Sequence, residues 1–207
     1  MAPPTKQEID DRFTGNVTRV RGLVSLYSGL VGSSGAGRPS VEHADVLRAA
    51  VILAHAAIED LLRSTEELRL PNALPEALQG LRLAPPHGTL KDAKEKFTFV
   101  ELSAYRGQSV DEVVERAIGL YLEKSNYNNI AEVKQALQRA GVAHTFSPAE
   151  AATIEAMMKR RHWIAHRADR NTLFGPGQHA VQPIGRDVVD GWIAVIESFG
   201  KSVLANL

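Results

Sequence analysis

From Ser40 to Leu68 the chain reads SVEHADVLRAAVILAHAAIEDLLRSTEEL, a capping serine followed by a stretch that is apolar on most sides in its middle at helical spacing. Such a helix has little surface to give to water, so the reading over residues 41 to 68 is a central helix, the most buried of the molecule. The segment before it is patterned to cover it. Thr5 and Glu8 have capping-box spacing, and Ile9, Phe13, Val17, Val20, Val24 and Tyr27 recur at intervals of three and four. That spacing predicts a first helix over roughly residues 6 to 31. The glycine-rich GLVGSSGAGRPS, residues 29 to 40, then stops it; no Lys-Ser or Lys-Thr pair follows as a phosphate-binding loop requires, so it reads as a connector.

Downstream, Pro71, Pro75 and the Pro85-Pro86 pair break residues 69 to 90 into loop, with one short turn at PEALQGL. Residues 91 to 105 read as another helix. Ser109 and Glu112 form a second capping box ahead of VDEVVERAIGLYLEK, and Asn129 with Glu132 opens a short helix to about Arg139. Ser147, Pro148 and Glu150 combine a cap, a proline at the first helical position and a box glutamate, ahead of AEAATIEAMMKRRHWIAH. After Asn171 a turn-rich connector, TLFGPGQHAVQPIG, leads into a last helix whose apolar face is read as Val188, Trp192, Val195, Ile196 and Phe199. No strand-period segment competes, and no segment repeats at a fixed interval. The expected architecture is all-α: one domain over residues 1 to 207, a bundle of five to seven helices.

Composition narrows the chemistry. The chain has 207 residues, 44% of them apolar, enough to bury a core without staples. Lys plus Arg number 24 and so do Asp plus Glu, so no strong overall field draws in nucleic acid or an anionic membrane, and any basic site is local. The absence of cysteine excludes disulfides, thiolate zinc sites, iron–sulfur clusters and a cysteine nucleophile. The start, MAPPTKQEIDDRF, is polar and acidic, and no apolar run approaches the roughly 18 residues that span a bilayer. A soluble cytoplasmic protein without a membrane partner is the expectation.

The local basic site is KRRHWIAHRADRN, residues 159 to 171, where Lys159, Arg160, Arg161, Arg167 and Arg170 face one acid, Asp169, and flank His162 and His166. Guanidinium forks bind phosphate oxygens bidentately, and imidazole moves protons near neutral pH, which suits a phosphodiester. A solvated basic helix end that complements the helix dipole explains the same residues. His162 and His166, four apart, share a helix face as a metal pair would. However, HWIAH lacks the glutamate of HExxH, no third ligand is adjacent, and the nearby cations repel a divalent ion, so neither metal nor other cofactor is expected.

The order Arg161, His162, Trp163, Ile164, Ala165, His166 resembles the motif of the HEPN family: an arginine, a polar residue, three largely apolar residues and a histidine near the C-terminal end of a late helix. Two further stretches resemble the RiboL-PSP-HEPN and MAE-type group in the same order. VLRAAVILAHAAIEDLLRS, residues 46 to 64, is similar to its early helix with an acid (Glu59, with Asp60 as alternative) and an arginine (Arg63). SNYNNIAEVKQALQRAGV, residues 125 to 142, is similar to its asparagine-bearing turn and following helix. The resemblance spans roughly residues 41 to 171, with the first 40 residues and the last helix, 186 to 207, as flanks. It departs from the group at His162, where asparagine is common.

The resemblance implies a metal-independent endoribonuclease, often a toxin or other defence component with an antitoxin partner, acting as a homodimer on RNA; other members bind RNA or nucleotides without cutting. On this reading Arg161 and His166 are catalytic, His162 and Glu59 support them, and Lys159, Arg160, Arg167 and Arg170 hold RNA phosphates. The residue types fit, because metal-free RNA cleavage needs a base for the 2′-hydroxyl, an acid for the leaving 5′-oxygen and a cation for the phosphorane. Arg161 and His166 are five apart, about 140° around an ideal helix, so the motif requires a distorted helix end or a cleft shared by two protomers. Glu59 is expected beside Arg161, orienting its guanidinium, or else as a solvated carboxylate. His55 reads as a core histidine, Trp163 as a core or dimer contact, and Asn126, Asn128 and Asn129 as turn and cap residues. The alternatives are a non-catalytic RNA- or nucleotide-binding module or dimeric adaptor, and a helical dimer whose basic turn is only a solvated cap.

Overall fold

A computed structural model describes residues 3–33, 40–79, 81, 99–171 and 180–207. Among these residues there are six α-helices of ten residues or more and one of five: α1 (Lys6–Ser33), α2 (Val41–Arg69), the short α3 (Phe99–Ser103), α4 (Val110–Lys124), α5 (Ile130–Arg139), α6 (Pro148–Arg167) and α7 (Arg186–Ala205). A 3-10 turn, Leu70–Asn72, follows α2. No strand forms among the described residues; one isolated antiparallel bridge joins Arg170 to Val181. The molecule is the all-helical bundle expected from the apolar spacing. Most of the helix expected over 91 to 105, the end of the glycine-rich connector and residues 172 to 179 lie outside the described residues.

The helix starts are made by the caps visible in the sequence. Ser40 Oγ accepts the His43 N–H, Asn129 Oδ1 the Glu132 N–H, and Ser147 Oγ the Glu150 N–H. Ser109 and Glu112 close a complete capping box. Each such cap satisfies an orphan donor and is worth about 1 kcal/mol. Glu150 does not close its own box: its carboxylate accepts from His144 Nε2 at 3.1 Å, while His144 Nδ1 meets the Ser202 hydroxyl at 2.9 Å. One imidazole thus ties the approach to α6 onto α7.

Helix α2 is the axis of the bundle, with α1 laid along it and α4, α5, α6 and α7 packed around the remainder. Leu47, Ile58, Leu61 and Leu62 are fully buried there against Met157 of α6 and Phe199 of α7. Burying each such side chain contributes about 1.5–3 kcal/mol. All six apolar positions read for α1, from Ile9 to Tyr27, are buried. In α7 the buried face is Val189, Ile193, Ile196, Phe199, Val203 and Leu204, whereas Val188 is exposed and Trp192 and Val195 are only partly covered. The two faces share Ile196 and Phe199; the observed one is turned toward Val189, Ile193, Val203 and Leu204, away from the side that carries Asp187, Asp190, Glu197 and Lys201. A smaller cluster, Leu70, Ile118 and Leu122, joins the end of α2 to α4.

Candidate functional site

Four polar residues interrupt the apolar surface of α2 at intervals of four, four and three: His55, Glu59, Arg63 and Glu66. That spacing places them on one stripe of the helix, and three of the four reach the turn between α4 and α5. Arg63 donates from Nε to the Leu122 carbonyl at 3.1 Å and from Nη2 to the Ser125 carbonyl at 2.9 Å, satisfying carbonyls at the end of α4. Glu66, with no exposed surface, accepts the Tyr127 hydroxyl at 2.6 Å on one oxygen and Arg139 Nε at 2.9 Å on the other. Burial, and then the neighbouring Glu66 carboxylate, raise the Tyr127 phenol far above its ordinary pKa, so it remains a donor. His55 Nε2 lies 3.2 Å from the Tyr127 carbonyl. Because a carbonyl only accepts, Nε2 carries the proton and Nδ1 faces Glu59 Oε2 at 3.7 Å.

The stripe fixes the turn, and the turn presents Asn128. Its Oδ1 accepts Arg161 Nη1 at 3.2 Å, and its backbone N–H is held by Glu132 Oε2 at 2.6 Å. Arg161, half-buried on α6, therefore leans toward α2 and the turn. Among the described residues its partner is this neutral amide, and it has no carboxylate ion pair. Its charge is felt by His55, whose pKa is lowered chiefly by burial and further by Arg161, against opposing contributions from Glu59 and the Tyr127 carbonyl. Glu59 lies beside His55, and no Glu59–Arg161 ion pair forms among the described residues; of the two readings, a carboxylate orienting Arg161 or a solvated one, the first is not seen.

Beyond Arg161, α6 is regular through Arg167 and the distortion comes after His166 rather than before it. Ala168 and Asp169 both adopt left-handed conformations, with φ of 47° and 53°. Each costs about 1–2 kcal/mol for a residue with a Cβ, so something must hold them. Asp169, fully buried, does so: its Oδ2 accepts Arg48 Nε and Arg160 Nη2, both at 2.7 Å. Arg48 and Arg160 both also donate to the Gln182 carbonyl, and the Gln182 N–H returns to the Asp169 carbonyl at 2.8 Å. Arg160, read from the sequence as a phosphate ligand, is consumed by this network. The remaining cations of the segment stay at the surface: Lys159, Arg167 and Arg170 are exposed. Arg167 stacks over the Trp163 ring at 5.0 Å, and exposed His162 and His166 lie with ring centroids 4.7 Å apart.

Within one protomer the structure therefore brings Arg161 together with Asn128 and close enough to His55 to act on its charge, and brings His166 together with His162. Arg161 and His166 share no partner among the described residues. Asn128 is the turn residue the sequence indicated, but its hold on Arg161, the role of Arg48 and the structural role of Asp169 were not read from the sequence. A polar stripe in an apolar helix was the available signal for the first, and a lone acid in a basic run for the last. Among the described residues no cluster of metal-ligating side chains forms, and no helix is long and apolar enough to cross a membrane. Compared with family models, with curated proteins and with solved structures, the chain matches none.

Proposed function

We propose that this chain is a HEPN-type endoribonuclease that cuts RNA without metal, in the cytosol, as a homodimer. The observation that carries the reading is the state of Arg161: a guanidinium aimed by a neutral amide keeps its charge for a phosphate, where one already paired with a carboxylate would not. In one chain Arg161 and His166 diverge by about 140° and about 7.5 Å along α6. Two protomers meeting along this helix, with their two-fold axis beside the motif, bring both His166 side chains and an Arg161 into one shared cleft. One imidazole then takes the 2′-hydroxyl proton, the other protonates the leaving 5′-oxygen, and the guanidinium stabilises the phosphorane. Lys159, Arg167 and Arg170 guide the strand electrostatically, and His162 supports His166 through the ring contact. Membership of a toxin–antitoxin or other defence system, with an antitoxin as protein partner, follows from the same resemblance.

The divergence of Arg161 and His166 within a protomer favours a second reading if the protein is monomeric: a module that binds RNA or a nucleotide without turnover. His166→Ala separates the two. On the ribonuclease reading it abolishes cleavage while salt-sensitive RNA binding by the cations largely survives. Wild-type protein that binds RNA and never cuts it selects the binding module.

A further inference from the structure

Helices α4 and α5 each pack on α2 but splay from one another, and the gap between them is a cleft of about 350 Å³. Its walls combine apolar, aromatic and polar surface, with Lys124 and the Glu132 carboxylate, which holds the Asn128 N–H, among the polar groups. Ala117 and Leu120 supply apolar surface, and the Tyr121 ring carries the Arg139 guanidinium at 4.8 Å from its centroid. That guanidinium is not free to swing, since the buried Glu66 carboxylate holds its Nε from beneath. The amides of Asn126 and Gln135, both exposed, stand at the rim. A flat aromatic or guanidinium surface with amide donors and acceptors at the edge matches a purine or pyrimidine: the ring stacks, and the amides read its hydrogen-bonding edge. A purely apolar ligand would leave both amides unused.

The cleft is also placed for a nucleic-acid strand. Asn126 and Tyr127 line it, and Asn128, two residues further along the same turn and so within about 7 Å of Asn126 by chain length, holds Arg161. One polar turn therefore separates a base-sized cleft from the guanidinium offered to a phosphate. We propose that the α4–α5 cleft is a nucleobase subsite, which seats one base of the strand whose neighbouring phosphate reaches Arg161. The identity of the strand as substrate rests on the ribonuclease reading; the affinity of the cleft for a base does not.

The test uses the full chain and the four ribonucleosides with their monophosphates, followed by amide chemical shifts. Nucleosides are expected to perturb Tyr121, Asn126, Gln135 and Arg139, and monophosphates to extend the perturbation to Asn128 and Arg161. One base is expected to bind better than the other three. Gln135→Ala, at an exposed position, is expected to weaken that base selectively, and Tyr121→Leu, which keeps apolar packing, to weaken all bases by about tenfold. Perturbations that map elsewhere, or base binding unchanged in both variants, overturn the subsite. Cleavage assays on the same proteins keep the two readings apart. Nucleosides bound in the cleft of a protein that never cuts RNA uphold the subsite and sink the ribonuclease; cutting whose base preference ignores both substitutions does the reverse.

Discussion

Two buried side chains decide much of what the polar stripe and the end of α6 can do. His55 is held below its ordinary pKa by burial and by Arg161. An imidazole depressed in the folded state takes up its proton later than in the unfolded chain, so below the unfolded value of about 6.5 the unfolded state binds more protons. The associated stability is complete above that pH and declines as the pH falls toward the folded-state pKa. Thermal melts from about pH 8 down to about pH 5 are expected to drop less steeply for His55→Gln, which keeps a donor for the Tyr127 carbonyl, than for the parent; parallel curves would contradict this account. Asp169 matters through charge. Replacing it in Asp169→Asn leaves Arg48 and Arg160 without their shared buried counterion, at an expected cost of about 3–5 kcal/mol by denaturant unfolding. A loss below about 1 kcal/mol would mean that Asp45, 2.9 Å from Arg48, and the carbonyls of Gln182 and Pro183 suffice, each hydrogen bond to a charged group being worth roughly 1.5–3 kcal/mol. His55 was legible as a core histidine, though not its partners, and Asp169 was not legible as a buried counterion. His55 is one imidazole among alanines, and Asp169 looks like a stray acid in a basic run until the chain folds Gln182 back against it.

Elements were far more legible than side-chain partnerships, because caps and apolar spacing are local. Ser40, Ser109, Asn129 and Ser147 each start the helix read from them, and the α1 face is the one its spacing defines. The α7 face was legible only in part: Ile196 and Phe199 lie on it, whereas Val188, Trp192 and Val195 sit at its edge and Val189, Ile193, Val203 and Leu204 complete it. Its packing against α1 turns on Gly200, where an added Cβ would meet the ring of Phe13, while one at Gly191 of the same helix meets nothing. Gly200→Ala is therefore expected to destabilise by about 1–3 kcal/mol through overpacking, and Gly191→Ala to stabilise by up to about 1 kcal/mol through helix propensity. Equal signs in chemical denaturation would show that α1 and α7 do not meet at this glycine. The four-four-three stripe on α2 belongs to the same scale: its residues are visible in the sequence, but their common target, the 125–129 turn, is distant in the chain.

For the molecule as a whole, a chain of zero net charge concentrates its cations at the end of one helix, and a buried ion network fixes the strained turn behind that end. The motif that resembles the HEPN family is divided in two by helix geometry. Arg161 is turned inward onto Asn128, and His166 is turned outward beside His162. On the proposed ribonuclease reading, the two motif residues act together in a dimer, so activity is expected to depend on protein concentration and on both residues at once. The most direct measurement is incubation of the purified protein, with Arg161→Ala and His166→Ala beside it, with total and structured RNAs in EDTA, followed by analysis of the product ends. The account predicts cleavage that leaves 2′,3′-cyclic phosphates and is lost in both variants; RNA left intact by the dimeric wild type, or cut equally by either variant, would contradict it.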